Sequence, residues 1–194
     1  MTIKYTVKWK KTNFSDIIDV RSPAEFKEDH IYGSINLPVL NNEQRVDIGT
    51  IYKKESPFKA KKIGASLVSN NISKHLKKVL ISKPGNWKPL IYCWRGGQRS
   101  KAFATVLSEI GWQVTILKGG YKTYRSAINN EINKLTKTSR FIVLKGPTGC
   151  AKTKILELLK KQGLSVLNLE RLASHKGSLL GDIPNKKQPS QKMF

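Results

Sequence analysis

The sequence predicts an α/β fold: a parallel sheet with helices on both faces, followed by the start of a second α/β domain. Three observations carry this. Short apolar runs alternate with helix-spaced stretches along most of the 194 residues, the pattern of βα units stacked into a parallel sheet. Two of those runs, PLIYC (89–93) and FIVLK (141–145), lead directly into glycine-rich turns and then into helical stretches. The composition is globular, 39% hydrophobic with 14 glycines and 8 prolines, and the chain is long enough to bury a sizeable core.

Taken in order, residues 3–9 (IKYTVKW) alternate loosely and read as an edge strand. FSDIIDV (14–20) ends in a buried parallel strand. A helix then starts with Ser22 as N-cap, Pro23 at N1 and Glu25 in the first turn. SINLP (34–38) is a short strand closed by Pro38, and residues 39–58, with mixed signals, read as a long loop. Residues 59–81 have helical spacing, weakened by Gly64 and by SNN, and KPGNWK (83–88) is turn chemistry. The strand 89–93 feeds a helix over 100–111 ending at Gly111. WQVTILKGG (112–120) gives a strand and a glycine turn, and 121–135 a further helix. TKTS (136–139) reads as a hinge between a domain over 1–136 and a partial one over 137–194. The second part reads as strand 141–145, a phosphate loop, helix 152–162, strand LSVLNLE (164–170) and a polar tail.

The formal net charge of +23 is spread along the chain: 24 basic against 10 acidic residues up to 136, and 12 against 3 after it. Such a surface attracts polyanions, nucleic acid first among them, although a solvated lysine-rich face accounts for charge alone equally well. Two cysteines and three scattered histidines make no zinc cluster, so no metal site is expected. No secretory signal leads the chain, and no apolar run approaches the ~20 residues of a membrane span. The expectation is a cytoplasmic protein with no membrane partner and with Cys93 as a free thiol.

Cys93 stands at the end of a strand and is followed by Trp94, Arg95, Gly96, Gly97, Gln98, Arg99 and Ser100. In that loop successive backbone N–H groups can form a nest around the sulfur. The two glycines permit the turn, and the positive end of the next helix adds to the field. Arg95 and Arg99 add charge, with the inward-facing one left open. All of these favour a thiolate, the nucleophilic form, or a bound oxyanion. Cys93 followed by Arg99 and Ser100 also matches the spacing of a cysteine-dependent phosphatase, which needs a general acid; Asp47 and Glu43 are weak candidates.

GPTGCAKT (146–153) fits the G-x-x-x-x-G-K-[ST] phosphate loop except that Ala151 replaces the last glycine. Gly146, Gly149, Cys150, Ala151, Lys152 and Thr153 are the phosphate-binding candidates, with Lys152 reaching the terminal phosphates and Thr153 suited to Mg²⁺. The methyl of Ala151 is tolerable only if φ is negative there. Glu170 is a guess for an acidic partner. Among the aromatic residues, Trp94 and Tyr121 are candidates for stacking on a base, while Tyr92, Trp112 and Tyr124 are read as core.

DVRSPAEFKEDHIYGSINLP (19–38) resembles the opening of rhodanese-like domains, with Asp19, Arg21, Glu25, Phe26, His30, Ile31, Gly33 and Pro38 at the marked positions. Read from chemistry alone, Asp19 and Arg21 tie a strand end to loops, Phe26 and Ile31 fill core, and His30 holds a turn. With CWRGGQRS, LKGPTGCAKT and the ending LASHKGSLLGDIPNKKQPSQKMF, the chain is similar to the tRNA 2-selenouridine synthase family, in which a rhodanese domain is joined to a P-loop domain. The resemblance implies a sheet of rhodanese type followed by a P-loop domain cut short at its C-terminal side. It implies replacement of sulfur by selenium in wobble 2-thiouridine of tRNA, with selenophosphate as substrate, geranyl diphosphate as co-substrate for S-geranylation, and no bound cofactor. It implies Cys93 as the selenium-handling cysteine, as a perselenide, Lys152 and Thr153 as phosphate ligands, and tRNA and a selenophosphate synthetase as partners. The geranyl donor site is expected largely outside this chain. Weighed beside this are a stand-alone sulfurtransferase, a phosphatase using Cys93 and Arg99, and an inactive tRNA-binding fragment. A chain of this length is not expected to complete the tRNA reaction alone.

Overall fold

The computed structural model describes residues 2–10, 13–147, 149–177 and 180–194. The chain divides into two compact units, Met1–Asn133 and Lys134–Phe194.

The first unit is an α/β layer structure around one parallel sheet. Its strands are β1 (Lys4–Thr6), β2 (Asp16–Asp19), β3 (Ile35–Asn36), β4 (Pro89–Tyr92) and β5 (Thr115–Leu117), in the order β1-β5-β4-β2-β3. Every pairing is parallel. The register sets Ile18 beside Ile91 and Ile91 beside Ile116, while Ile17 lies beside Leu90. Side chains alternate across a strand, so the sheet has two apolar faces, as a parallel sheet covered on both sides requires. Ile18, Ile91, Ile116, Phe103 and Leu107 belong to one buried cluster, which also includes Cys93. Ile17, Ile31, Leu90, Tyr92, Leu117 and Tyr121 form the other. Each fully buried Ile or Leu stabilises the fold by roughly 1.5–3 kcal/mol.

The helices are α1 (Pro23–Glu28), α2 (Asn42–Lys54), α3 (Pro57–His75), α4 (Gln98–Ile110) and α5 (Gly120–Thr138). Ser22 caps α1 with Pro23 at N1, and the Ser22 N–H donates to Glu25 Oε2 at 3.0 Å. α4 ends at Gly111 with φ 110°, a left-handed C-cap. α3 runs through both Gly64 and SNN and continues as a π-helical turn over Leu76–Leu80. Gly64 faces Ile48 of α2, at a distance where a methyl group would make ordinary contact.

Residues 39–58 are not a long loop. Asn41 starts α2 with a reciprocal capping box: Gln44 N–H to Asn41 Oδ1 at 2.8 Å, and Asn41 N–H to Gln44 Oε1 at 3.0 Å. Ser56 then caps α3, accepting from Lys59 N–H at 3.3 Å. No residue of α2 is fully buried, so the helix carries little apolar periodicity. α5 runs on through most of TKTS to Thr138.

The second unit contains α6 (Lys152–Lys161) and the short α7 (Leu169–Leu172). Neither strand expected here is present among the described residues. FIVL (141–144) is exposed coil, with Ile142 fully exposed, and LSVLNLE is coil running into α7. A strand exists only where a neighbour completes its hydrogen-bond ladder, and these apolar segments have none there. One isolated antiparallel bridge, His175 to Asp182, ties the tail to itself.

Candidate cysteine loop and phosphate loop

β4 delivers Cys93 to the C-terminal edge of the sheet, where open α/β sheets place their sites. Gly96 lies at φ +65°, and a Cβ there would sit 2.7 Å from the Leu117 carbonyl oxygen. Gly120 lies at φ +59°, and its Cβ would overlap the Cys93 carbonyl oxygen and come within 2.6 Å of Gly96 N. The loops after β4 and β5 therefore interlock backbone to backbone. The Tyr121 N–H donates to the Cys93 carbonyl at 2.9 Å and the Lys122 N–H to the Trp94 carbonyl at 3.1 Å.

The sulfur of Cys93 accepts from the Gly97 N–H at 3.3 Å and lies 3.3 Å from Ser100 Oγ, which donates to the Gly97 carbonyl at 3.0 Å. Gly97 is the N-cap of α4, so the sulfur rests at the positive end of that helix. The residue is only 3% exposed and packs within the apolar cluster of the sheet, so the sulfur lies under the loop and not on the surface. Trp94 and Arg95 are exposed above it. Arg99 is engaged by α1: Nη1 lies 2.7 Å from Glu25 Oε2 and Nη2 3.3 Å from Oε1. Burial alone would raise the Glu25 carboxyl, but the Arg99 guanidinium and the Ser22 N–H override it and hold it below the ordinary glutamate value.

Tyr121 is not a surface stacking residue: it is 3% exposed, and its hydroxyl donates to Asp29 Oδ2 at 2.6 Å. Burial, reinforced by Asp29, pushes that hydroxyl well above its ordinary pKa. Trp94 is 37% exposed, with its ring 5.2 Å from that of Tyr121. Tyr92 and Trp112 are core, as their positions beside strands suggested, and Tyr124 is half-buried. Ile31 is core, Phe26 is half-buried against His30, and His30 Nδ1 bonds the Phe26 carbonyl at 2.9 Å, closing the end of α1. Glu43 and Asp47 are exposed on α2. One feature had no signal in the sequence: an apolar cavity of about 350 Å³ between α2, α3 and α4, walled by Leu40, Ile48, Ala60 and Val68 and reached by Gln98 and Arg99. Its walls come from three separate stretches of chain, brought together only by packing.

In the second unit Gly149 takes φ +85° and Ala151 φ +59°, so the methyl-bearing residue occupies a left-handed position at the N-cap of α6. That is the conformation the missing glycine would have served, and it costs an alanine about 1–2 kcal/mol. Lys152 Nζ folds over the loop, donating to the carbonyls of Gly146 at 2.8 Å and Pro147 at 2.6 Å, with Cys150 Sγ at 3.5 Å. Thr153 Oγ1 lies 3.5 Å from Glu170 Oε2, so the guessed acidic residue does come to the loop. Lys176 and Gly177 join Gly149, Cys150, Lys152, Thr153 and Glu170 around a cavity of about 280 Å³. Gly177 has φ +80°, and a side chain there would strike Glu170. Thr153 and Glu170 supply hard oxygen donors of the kind Mg²⁺ takes. Among the described residues no group of three or more His, Cys, Asp or Glu side chains is placed to hold a metal, and no helix is long and apolar enough to cross a membrane.

A cysteine at the end of the central strand of a five-stranded parallel sheet, under a glycine-arginine loop, agrees with the family match: residues 2–127 match the rhodanese-like domain. The chain belongs to the rhodanese-like domain family. Residues 139–194, after the rhodanese-like domain, match the tRNA 2-selenouridine synthase AAA domain. Curated relatives named tRNA 2-selenouridine synthase align with most of the chain. The one from Bdellovibrio bacteriovorus is 36% identical over 185 residues, covering 90% of this chain and 46% of that protein. The one from Sulfurovum sp. is 38% identical over 173 residues, covering 87% and 46%. The chain thus spans about half the length of the curated relatives it matches. Among solved structures, the N-terminal domain of a Clostridium difficile 630 protein described as ATP/GTP binding is similar. It shows 37% identity and a TM-score of 0.52, covering 58% of this chain and 87% of that one.

Proposed function

We propose that this chain forms the sulfur-bearing part, residues 1–136, and the phosphate loop, within residues 137–194, of a transferase that puts selenium into the wobble 2-thiouridine of tRNA. Selenophosphate is the donor and Cys93 the reactive sulfur. The observation that carries the reading is Cys93 Sγ at the N-terminus of α4, within 3.3 Å of the Gly97 N–H: a sulfur anion there meets a backbone donor and the helix dipole. The pairing of a rhodanese-like domain with the selenouridine synthase AAA domain supports a selenium over a sulfur reading. Lys152 would hold phosphate oxygens after leaving the Gly146 and Pro147 carbonyls, and Thr153 with Glu170 would hold Mg²⁺. The +23 charge suits a tRNA backbone.

The test is intact-mass measurement after incubation with selenosulfate or thiosulfate, with Cys93→Ser as control: the Cys93 thiolate attacks the outer chalcogen, its bond to the sulfonate sulfur breaks, sulfite leaves, and a perselenide or persulfide remains. A selenium adduct that disappears in Cys93→Ser supports the reading. A sulfur adduct from thiosulfate alone points to a sulfurtransferase. Hydrolysis of an aryl phosphate that depends on Cys93 points to a phosphatase, and no adduct at all refutes the role of Cys93.

A further inference from the structure

Arg99 lies in the turn that surrounds the Cys93 sulfur. Its neighbours in the same turn, Gly97 and Ser100, both reach Cys93 Sγ. An unengaged guanidinium in that turn presents a planar set of donors matched to phosphate. It is not unengaged: Glu25 takes both of its terminal nitrogens, at 2.7 and 3.3 Å. The pair is largely shielded from water, with side chains 17% and 21% exposed, so water weakens the charge cancellation less than at an open surface. Glu25 is itself fixed by the Ser22 N–H at 3.0 Å and by its place in the first turn of α1, so it cannot drift away from the arginine without disturbing that helix start.

We infer that Glu25 is a specificity-determining residue of the Cys93 site, acting through Arg99. By cancelling the guanidinium charge, it leaves the Gly97 N–H, the end of α4 and the exposed Arg95 to attract an anion. The site then favours anions only weakly over neutral electrophiles. With Arg99 released, the same loop would hold oxyanions in the manner of a phosphatase. The inference rests on Cys93 being the reactive sulfur.

The experiment compares alkylation of Cys93 by iodoacetate, an anion, and iodoacetamide, its neutral analogue. In each reaction the thiolate attacks the methylene carbon, a C–S bond forms and iodide leaves. Rates are read on the Cys93 peptide by mass spectrometry, which separates it from the exposed Cys150. The thiolate fraction and any loosening of the fold act on both reagents and cancel in the rate ratio. Glu25→Gln is expected to raise the iodoacetate/iodoacetamide ratio at least threefold. Glu25→Asp, which keeps the charge, is expected to restore most of the wild-type ratio. In an Arg99→Met background, Glu25→Gln is expected to leave the ratio unchanged. An unchanged or lowered ratio in Glu25→Gln, or a rise that persists without Arg99, overturns the inference while leaving the role of Cys93 intact. Failure of Cys93 to react in any variant removes both.

Discussion

Arg21 and Asp19 form a buried ion pair, with Nη2 2.7 Å from Oδ2 and the two side chains 1% and 0% exposed. Arg21 also donates to the Asp29 carbonyl at 2.6 Å and lies 4.1 Å from the centroid of the Tyr121 ring. One guanidinium thus joins the end of β2, the end of α1 and the start of α5, the element that follows the loop interlocked with Cys93. Arg21→Met would leave Asp19 buried without its partner, at a cost of about 3–5 kcal/mol. Urea denaturation checks the value, and Arg21→Lys should recover little of it, because an ammonium cannot reproduce the fork.

Gly120→Ala should displace the cysteine loop. Its Cβ would meet the Cys93 carbonyl and Gly96 N, both backbone, from a φ of +59°. The expected loss is about 2 kcal/mol or more, together with a clear fall in Cys93 alkylation. A fully stable Gly120→Ala protein with unchanged alkylation would contradict the interlock.

Ala151→Gly should relieve the left-handed strain at φ +59°. A gain of about 1 kcal/mol in the second unit is expected, and Ala151→Val, β-branched, should lose a similar amount. Hydrogen-exchange protection of the α6 amides reports both changes.

The Glu25 carboxyl is held below its ordinary value of 4.5. A carboxyl with a depressed folded-state pKa contributes stability that is complete above the unfolded value and is lost as pH falls through the folded one. The stability difference between wild type and Glu25→Gln should therefore be constant from about pH 6 to 8 and shrink below about pH 4.5. Denaturation midpoints measured across that range test it; a difference that grows on acidification would reverse the assigned direction.

Under the proposed function, association with tRNA should weaken steeply with salt, since each phosphate neutralised releases a condensed counterion and lowers log K as salt rises. A titration at several salt concentrations gives the number of contacts, and a flat dependence would show that the +23 charge does not face the nucleic acid.

Much of the first unit could be read from local signals. Pro23 behind Ser22, Gly111 after an apolar-periodic stretch and the alternation of runs each depend on a few neighbouring residues, so the helix at 23 and the strand at 89 were legible. The helix at 42 was not, because none of its residues is fully buried and its inner face, Gln44, Ile48 and Ile51, holds only two apolar side chains. The FIVL segment failed for the opposite reason: it has strand composition, but pairing is a property of two segments and the described residues supply no second one.

The amino-acid order alone determined which atoms could do chemistry: a cysteine at a strand end, glycines where the backbone must turn, and a lysine and threonine after a second glycine loop. It also carried the excess positive charge and the apolar alternation that closes a parallel sheet. Only the tertiary structure decided how those groups are used. It buried the Cys93 sulfur beneath its loop, pressed Gly120 against it, and brought Glu25 onto Arg99 from 74 residues away. A side chain's identity sets what it can bond, but electrostatic cancellation and steric contact depend on distance in space, and folding sets that distance.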